Sequence, residues 1–247
     1  MIITSRNNPL IKEMRALRER KARKETGLHF IESDKLVAEA LSSGAYVSTM
    51  FAREGAAVPV GFPEEKAVRV SESVMEALCL SETPQSVCAA VKNPEEGDIS
   101  KASGLVVLLE RVQDPGNVGT VIRSADAFGA SLIIYSPDSA DPFSPKTIRA
   151  SMGSVYHVPL LCMDIQEAVM RLQTAGFTCF CGHLKGTQTM PAHGHNTAFV
   201  VGNEGNGVTE QTAALCTKYR LPMPGRAESL NAAAFASVML YILSEKN

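Results

Sequence analysis

Leu221-Pro-Met-Pro-Gly-Arg-Ala-Glu-Ser-Leu-Asn231 joins a short strand-like segment, Lys218 to Leu221, to a long Ala-rich helix, Ala232 to Leu243. Two prolines and a glycine set the path of this run, and Ser229 and Asn231 bring polar side chains to the helix entrance, where open N–H groups need acceptors. A plain connection takes about two or three residues, so a run this long and this rich in fixed backbone reads as a loop built to hold something.

Outward from that loop, the chain from Leu105 onward alternates apolar strands with helices. Leu105 to Leu109 is a continuous apolar run, as expected of a parallel strand covered on both faces. A helix is expected over Val118–Phe128 and a strand over Ser131–Tyr135. Val158–Cys162 pairs with a helix over Ile165–Ala175, and Phe177–Cys181 precedes a long loop. Ala198–Val201, a helix over Thr209–Leu215 and Lys218–Leu221 complete the pattern. This is an α/β domain with a mostly parallel sheet, and ligands are expected at the carboxyl ends of its strands.

The first ninety residues read as a smaller α/β unit. One charged helix is expected over about Pro9–Lys24, then a strand over Leu28–Ile31 and a helix over Ser33–Leu41, stopped at Gly44. Strands follow at Tyr46–Ala52, Ala67–Val70 and Val87–Val91, with a helix near Glu72–Leu78. The polar stretch Lys92 to Gly104 reads as a linker. The expected division is therefore 1–92, a linker at 93–104, and 105–247.

With 247 residues and 45% apolar content the chain can bury a full core, and two domains are expected. The net charge of −2 hides an asymmetry: Arg6, Lys12, Arg15, Arg18, Arg20, Lys21, Arg23 and Lys24 face only Glu13 and Glu19, a local excess of +6. A solvated helix face and a phosphate-binding surface explain that block equally well. Six cysteines without framework spacing, and neither a signal peptide nor a long apolar span, point to a reduced, soluble, cytoplasmic protein with no membrane partner. Cys179-Phe-Cys181-Gly-His183 puts metal-ligand types on one face of a strand, but small buried cysteines are much the commoner meaning. His193 and His195 have no companion ligands nearby in sequence, and no metal is expected.

Three loops follow strands of the second domain. Glu110-Arg-Val-Gln-Asp-Pro-Gly-Asn117 leads into a helix that Asn117 is placed to cap, with Arg123 nearly two turns on and, taken alone, a surface arginine. Gly202-Asn-Glu204-Gly205-Asn-Gly207 permits tight turns and close backbone approach, without the order or following acid of a dinucleotide fingerprint. No Gly-Lys-Ser/Thr phosphate loop occurs either. The third loop is Leu221 to Asn231. Together, Asn117…Arg123, Gly202-Asn-Glu204-Gly205 and Leu221-Pro-Met-Pro-Gly225…Ser229-Leu-Asn231 resemble the three motifs of the SpoU (TrmH) group of SPOUT RNA methyltransferases. Arg149-Ala-Ser151-Met-Gly153 resembles the segment between the first two. The likeness runs from about Leu105 to the C-terminus. The first ninety residues resemble, less specifically, the ribosomal-protein-like substrate-binding domain that precedes it in ribosomal RNA members.

The resemblance implies a deep C-terminal trefoil knot, S-adenosylmethionine as cofactor, and methyl transfer to a ribose 2′-hydroxyl of RNA. Gly202, Leu221 and Leu230 match the family's positions around the cofactor, and Met223 and Leu184 are expected beside them. The family's arginine, here Arg123, is held to activate the hydroxyl. A guanidinium keeps its proton, so we read it as gripping a phosphate and stabilising charge on the oxygen, with phosphate or water taking the proton. Asn117, Glu204, Ser229 and Asn231 are expected to position Arg123, the ribose and the loops. A homodimer is implied, for which the helix Ala232–Leu243 serves equally well as interface or as core. Large-subunit, 23S-type ribosomal RNA is the expected substrate, with transfer RNA as the nearest alternative. A non-catalytic RNA-binding protein of the same fold, or a methyltransferase of bases or proteins, are the other readings.

Overall fold

The computed structural model describes residues 2–190 and 192–244. They divide into two units, residues 2–94 with 143–148, and residues 95–142 with the described residues from 149 to 244. The first contains β1 (Ile2–Ile3), α1 (Pro9–Ala16), α2 (Arg20–Thr26), β2 (Leu28–Glu32), α3 (Asp34–Ser42), β3 (Val47–Arg53), β4 (Val68–Val70), α4 (Glu72–Leu78) and β5 (Val87–Lys92). Its mixed sheet has the order β1-β4-β3-β5-β2. β5 runs antiparallel to both neighbours, while β4 is parallel to β1 and β3. Ile11, Met14, Leu17, Phe51, Val74 and Leu78 fill the core on one side of it.

The single basic helix expected over Pro9–Lys24 is two helices. Asn8 caps α1, accepting from the Leu10 N–H at 2.9 Å, with Pro9 in the first turn, where its missing N–H costs nothing. The chain then turns at Leu17–Glu19 because two arginines are drawn inward. Arg18 donates to the carbonyls of Ala77, Leu78 and Cys79 at 2.8, 3.1 and 3.1 Å, satisfying the open C-terminal end of α4. Arg23, buried, donates to the Leu17 and Arg18 carbonyls, both at 2.7 Å. Arg6 pairs with Glu76 at 3.0 Å. Three members of the basic block are thus structural, while Lys12, Arg15, Lys21 and Lys24 stay exposed.

The second unit contains β6 (Leu105–Leu109), α5 (Pro115–Ala127), β7 (Leu132–Tyr135), the C-terminal end of α6 (Pro145–Ser151), β8 (Leu160–Cys162), α7 (Ile165–Thr174), β9 (Thr178–Thr187), β10 (Thr197–Val201), α8 (Glu210–Leu215), β11 (Thr217–Tyr219) and α9 (Ala232–Ser244). Its six strands lie in the order β11-β9-β10-β6-β7-β8, and every pairing is parallel. β6 and β10, side by side at the centre, are buried at every residue, which is why they read as unbroken apolar runs. Val106, Leu108, Val169, Leu172, Cys179 and Val200 belong to the core on the α7 and α8 side. Residues 97–102 lie on the same unit: the Gly97 N–H donates to the Leu160 carbonyl at 2.8 Å, and Ile99 and Ala102 pack on that core.

α9 packs against α5, β10 and β6. Its inner face buries Ala233, Ala236, Met239, Leu240 and Leu243, while Val238 and Tyr241 stay exposed on its outer side. Core packing and exposed apolar side chains therefore coexist on one helix. α5 starts at Pro115 rather than at Val118. Its cap is Asp114, which accepts from the Asn117 N–H at 3.0 Å. Asn117, expected as the cap, is in the first turn and keeps its amide for other partners. β1 and α6 were not anticipated as elements: two residues make no period, and Pro145–Ser151 carries no apolar stripe. Among the described residues no helix is long and apolar enough to cross a membrane.

Candidate functional site

Parallel strands release their loops at the same sheet edge, so the loops after β6, β9, β10 and β11 converge. A buried carboxylate organises the first contact. Glu110, the residue after β6, accepts from the Thr209 N–H at 2.7 Å and its hydroxyl at 2.8 Å, and also from the Thr212 hydroxyl. Thr209 in turn caps α8. The next residue, Arg111, sits at φ 55°, and its carbonyl accepts from Asn203 Nδ2 at 2.9 Å. Asn203 Oδ1 closes the following turn by accepting from the N–H groups of Gly205 and Asn206, both at 3.0 Å.

The three motif loops meet in one line of hydrogen bonds. Asn231 Nδ2 donates to Asn117 Oδ1 at 2.9 Å, and Asn117 Nδ2 donates to Glu204 Oε1 at 2.9 Å. Glu204 also accepts from the backbone N–H groups of Asp114 at 3.1 Å and Gln113 at 3.2 Å. Asn231 caps α9 as well, its Oδ1 accepting from Ala233 at 2.9 Å and Ala234 at 3.2 Å. Local capping and the site network use different ends of one amide, so Asn231 does both. Ser229, equally placed for a cap by local rule, lines the cavity instead.

Beside this line lies a cavity of about 390 Å³, within the usual size range of small-molecule sites. Its walls include Leu184, Leu221, Met223 and Leu230, with Gly202, Glu204 and Ser229. Asn117 and Asn231 stand behind Glu204 through the hydrogen bonds above. Arg123 lies elsewhere. It is exposed on α5, six residues past Asn117 and so about 240° further round the helix. Gly202 is packed against its own chain: a Cβ there would lie 2.2 Å from the Gly207 carbonyl carbon and 2.3 Å from the Val208 nitrogen. The close approach that a glycine suggested is therefore first an approach of loop to loop.

Sequence reasoning passed over Glu110 and Asn203. Their signal was available: a carboxylate ending an otherwise apolar buried strand must find donors, and an Asn inside a glycine-rich turn is suited to closing it. His183, read in the sequence only as part of a metal-ligand pattern, lines the cavity instead, takes a hydrogen bond from the Lys185 N–H at 3.1 Å on Nδ1 and faces Glu210 at 3.7 Å through Nε2. Cys179 and Cys181, on the same face of β9, are buried in the core, and burial pushes the Cys179 thiol up to about 11. Among the described residues no group of three or more His, Cys, Asp or Glu could hold a metal ion.

Burial acts to raise the Glu204 carboxyl, but the Asn117 amide and the backbone N–H groups of Glu204, Asp114 and Gln113 outweigh it and hold it below its ordinary 4.5. A folded-state value below the unfolded one means that the charged network stabilises the fold fully above pH 4.5 and loses this contribution as pH falls through the depressed value. The stability difference between wild type and Glu204→Gln, read from urea midpoints, is expected to be constant above pH 4.5 and to shrink below it. A difference that grows on acidification would contradict the arrangement.

An all-parallel sheet whose strand-end loops are tied together around one cavity defines an α/β domain that takes a small molecule at the carboxyl ends of its strands. Residues 104–241 match the family model for the SpoU rRNA Methylase family, and residues 8–89 match the MRM3-like substrate binding domain. The chain belongs to the SpoU rRNA methylase family. It is 34% identical to the 23S rRNA (guanosine(2553)-2'-O)-methyltransferase RlmP of Bacillus subtilis (strain 168), over 98% of each chain. An AdoMet-bound rRNA methyltransferase from Sinorhizobium meliloti superposes with a TM-score of 0.87 at 30% identity, over 99% of this chain and 97% of that one. A structure described as giving insights into the 2-OH methylation of C/U34 on tRNA matches only 57% of this chain and 89% of its own, with a TM-score of 0.52 and 27% identity.

Proposed function

We propose that this protein transfers a methyl group from S-adenosylmethionine to a ribose 2′-hydroxyl of 23S-type ribosomal RNA, acting in the cytoplasm as a homodimer. The observation that carries this reading is the Asn231–Asn117–Glu204 line, which binds three separate strand-end loops into one wall beside the cavity. The cavity suits the cofactor: Leu184, Leu221, Met223 and Leu230 offer apolar walls to a flat base, and Gly202 offers backbone without a side chain. When bound, S-adenosylmethionine supplies the electrophile, the methyl group of its sulfonium.

What remains for the chain is to orient the attacking oxygen and stabilise its charge. Glu204, Asn117 and Asn231 hold the loops in register, and the Ser229 hydroxyl at the cavity edge is available to the ribose. Arg123 grips a phosphate and stabilises the developing oxyanion. Because it is exposed and does not line its own cavity, we assign it to the site of the second subunit, with Val238 and Tyr241 on the outer face of α9 as part of the dimer contact. The trefoil knot belongs to the same reading, with the segment 221–231 as the threaded piece.

Ribosomal RNA is favoured over transfer RNA by coverage. The two ribosomal RNA relatives named above match 98% and 99% of this chain, front unit included, whereas the tRNA-related structure covers 57% of it. The exposed Lys12, Arg15, Lys21 and Lys24 give the front unit a cationic surface for a structured RNA. The test is to map 2′-O-methyl groups on ribosomal and transfer RNA from strains with and without the protein. One ribosomal position losing its methyl group supports the reading. A transfer RNA position losing it instead favours the alternative substrate, and failure to bind S-adenosylmethionine in calorimetry favours a non-catalytic RNA-binding protein.

A further inference from the structure

The helix that carries Arg123 also carries Asp126, three residues on, at a spacing that lets an arginine and a carboxylate on one helix face pair. They do not pair. Asp126 Oδ2 instead accepts a hydrogen bond from His157 Nδ1 at 2.9 Å, with side-chain exposures of 31% for the aspartate and 37% for the histidine. A carboxylate acceptor requires the proton on Nδ1, so a neutral imidazole in that tautomer suffices. His157 directly follows the short 3₁₀ turn Ser154–Tyr156, which packs on α5. Arg123, meanwhile, is exposed, and no hydrogen bond or ion pair reaches its guanidinium from the described residues.

An exposed guanidinium one turn from a carboxylate would ordinarily spend part of its time bound to it. We infer that His157 is a positioning residue for methyl transfer: by holding Asp126 Oδ2 it fixes the carboxylate in the arrangement in which it does not pair with Arg123, and so keeps Arg123 available to the RNA phosphate and the attacking oxygen. This rests on the role given to Arg123 above. His157 does not line the cavity and acts on methyl transfer through Asp126. The segment from Arg149 to His157 thereby gains a function: it delivers the competing donor to α5.

The competition makes an unusual prediction, because a second loss should repair the first. His157→Ala frees Asp126 to capture Arg123 and is expected to lower kcat on ribosomal RNA from a strain lacking the protein by about fivefold, with KM for S-adenosylmethionine unchanged. Asp126→Asn added to His157→Ala removes the captor and is expected to restore kcat to within about twofold of wild type. His157→Asn keeps an N–H near the Nδ1 position and is expected to behave as wild type. If His157→Ala does not fold, His157→Phe fills the ring's place without the donor and carries the same expectation. Unchanged turnover in the Ala or Phe variant, or a loss that Asp126→Asn leaves unrepaired, overturns the inference, the latter by assigning His157 to packing. Arg123→Ala separates the two ideas. Full turnover there removes the role of Arg123 and this inference with it, whereas a dead Arg123→Ala beside an unaffected His157→Ala removes this inference alone.

Discussion

Arg123→Ala is expected to slow methyl transfer by about 10²–10³-fold, the cost of removing one charge-stabilising group from a transition state. S-adenosylmethionine affinity should stay within about twofold of wild type. The separation follows from position: Arg123 is exposed on α5 and is not part of the cavity wall formed by Leu184, Leu221, Met223 and Leu230. Arg123→Lys keeps the charge but loses the planar fork, so it should recover only a small part of the rate. Near-normal turnover in the lysine variant would remove any need for a two-pronged grip on phosphate. Mixing tests the assignment to the second subunit. Arg123→Ala combined with an equal amount of a cavity-defective, Arg123-bearing variant should give about a quarter of wild-type turnover once subunits exchange, because half the dimers then hold one complete site. A mixture as inactive as its components would place Arg123 in the site of its own subunit.

That prediction also marks where the sequence stopped being legible. The centre of the second sheet could be read directly, since β6 and β10 are buried at every position and leave no alternation to misjudge. The three loops could be read because glycine, proline and asparagine cluster after strands for local reasons. What the order of residues does not carry is direction. Asn117 and Arg123 are near in sequence and are grouped by the family motif, yet Asn117 bonds to Glu204 while Arg123 is exposed and outside the cavity lining. The basic block failed to read for a related reason. Arg18 and Arg23 look like their exposed neighbours, but one satisfies the carbonyls ending α4 and the other those at the end of α1, and that demand is created only by tertiary packing. The turn between α1 and α2 follows from it. Asp114 displaced Asn117 as cap because Pro115 can begin a helix, which moves the start three residues earlier than the apolar pattern suggests.

Gly202→Ala is expected to reduce S-adenosylmethionine affinity by about two orders of magnitude and to destabilise the fold by about 1–3 kcal/mol. The reason is contact rather than dihedral strain, because only space is lacking: the added Cβ would lie 2.2 Å from the Gly207 carbonyl carbon, 2.3 Å from the Val208 nitrogen and 2.6 Å from the Gly207 oxygen. All three are backbone atoms, and none is the movable end of a side chain. The loop must therefore shift as a unit. Asn203 and Gly207 exchange two backbone hydrogen bonds, of 3.1 and 2.9 Å, across its base, so displacement at 207 is transmitted to 203 and 204. Movement of Glu204 would break its bonds to Asn117, Asp114 and Gln113 together, and with them the link to Asn231 and the loop 221–231. Gly205→Ala is the control within the same turn. A Cβ there meets only Asn203 Oδ1, at 3.6 Å, an ordinary contact, and both affinity and melting temperature should stay near wild type. Calorimetric titration and thermal unfolding of the two variants in parallel decide the matter. Equal losses in both would mean that the turn tolerates no side chain for reasons of its own, whereas loss in Gly202→Ala alone ties cofactor affinity to the packing of residue 202 against 207 and 208.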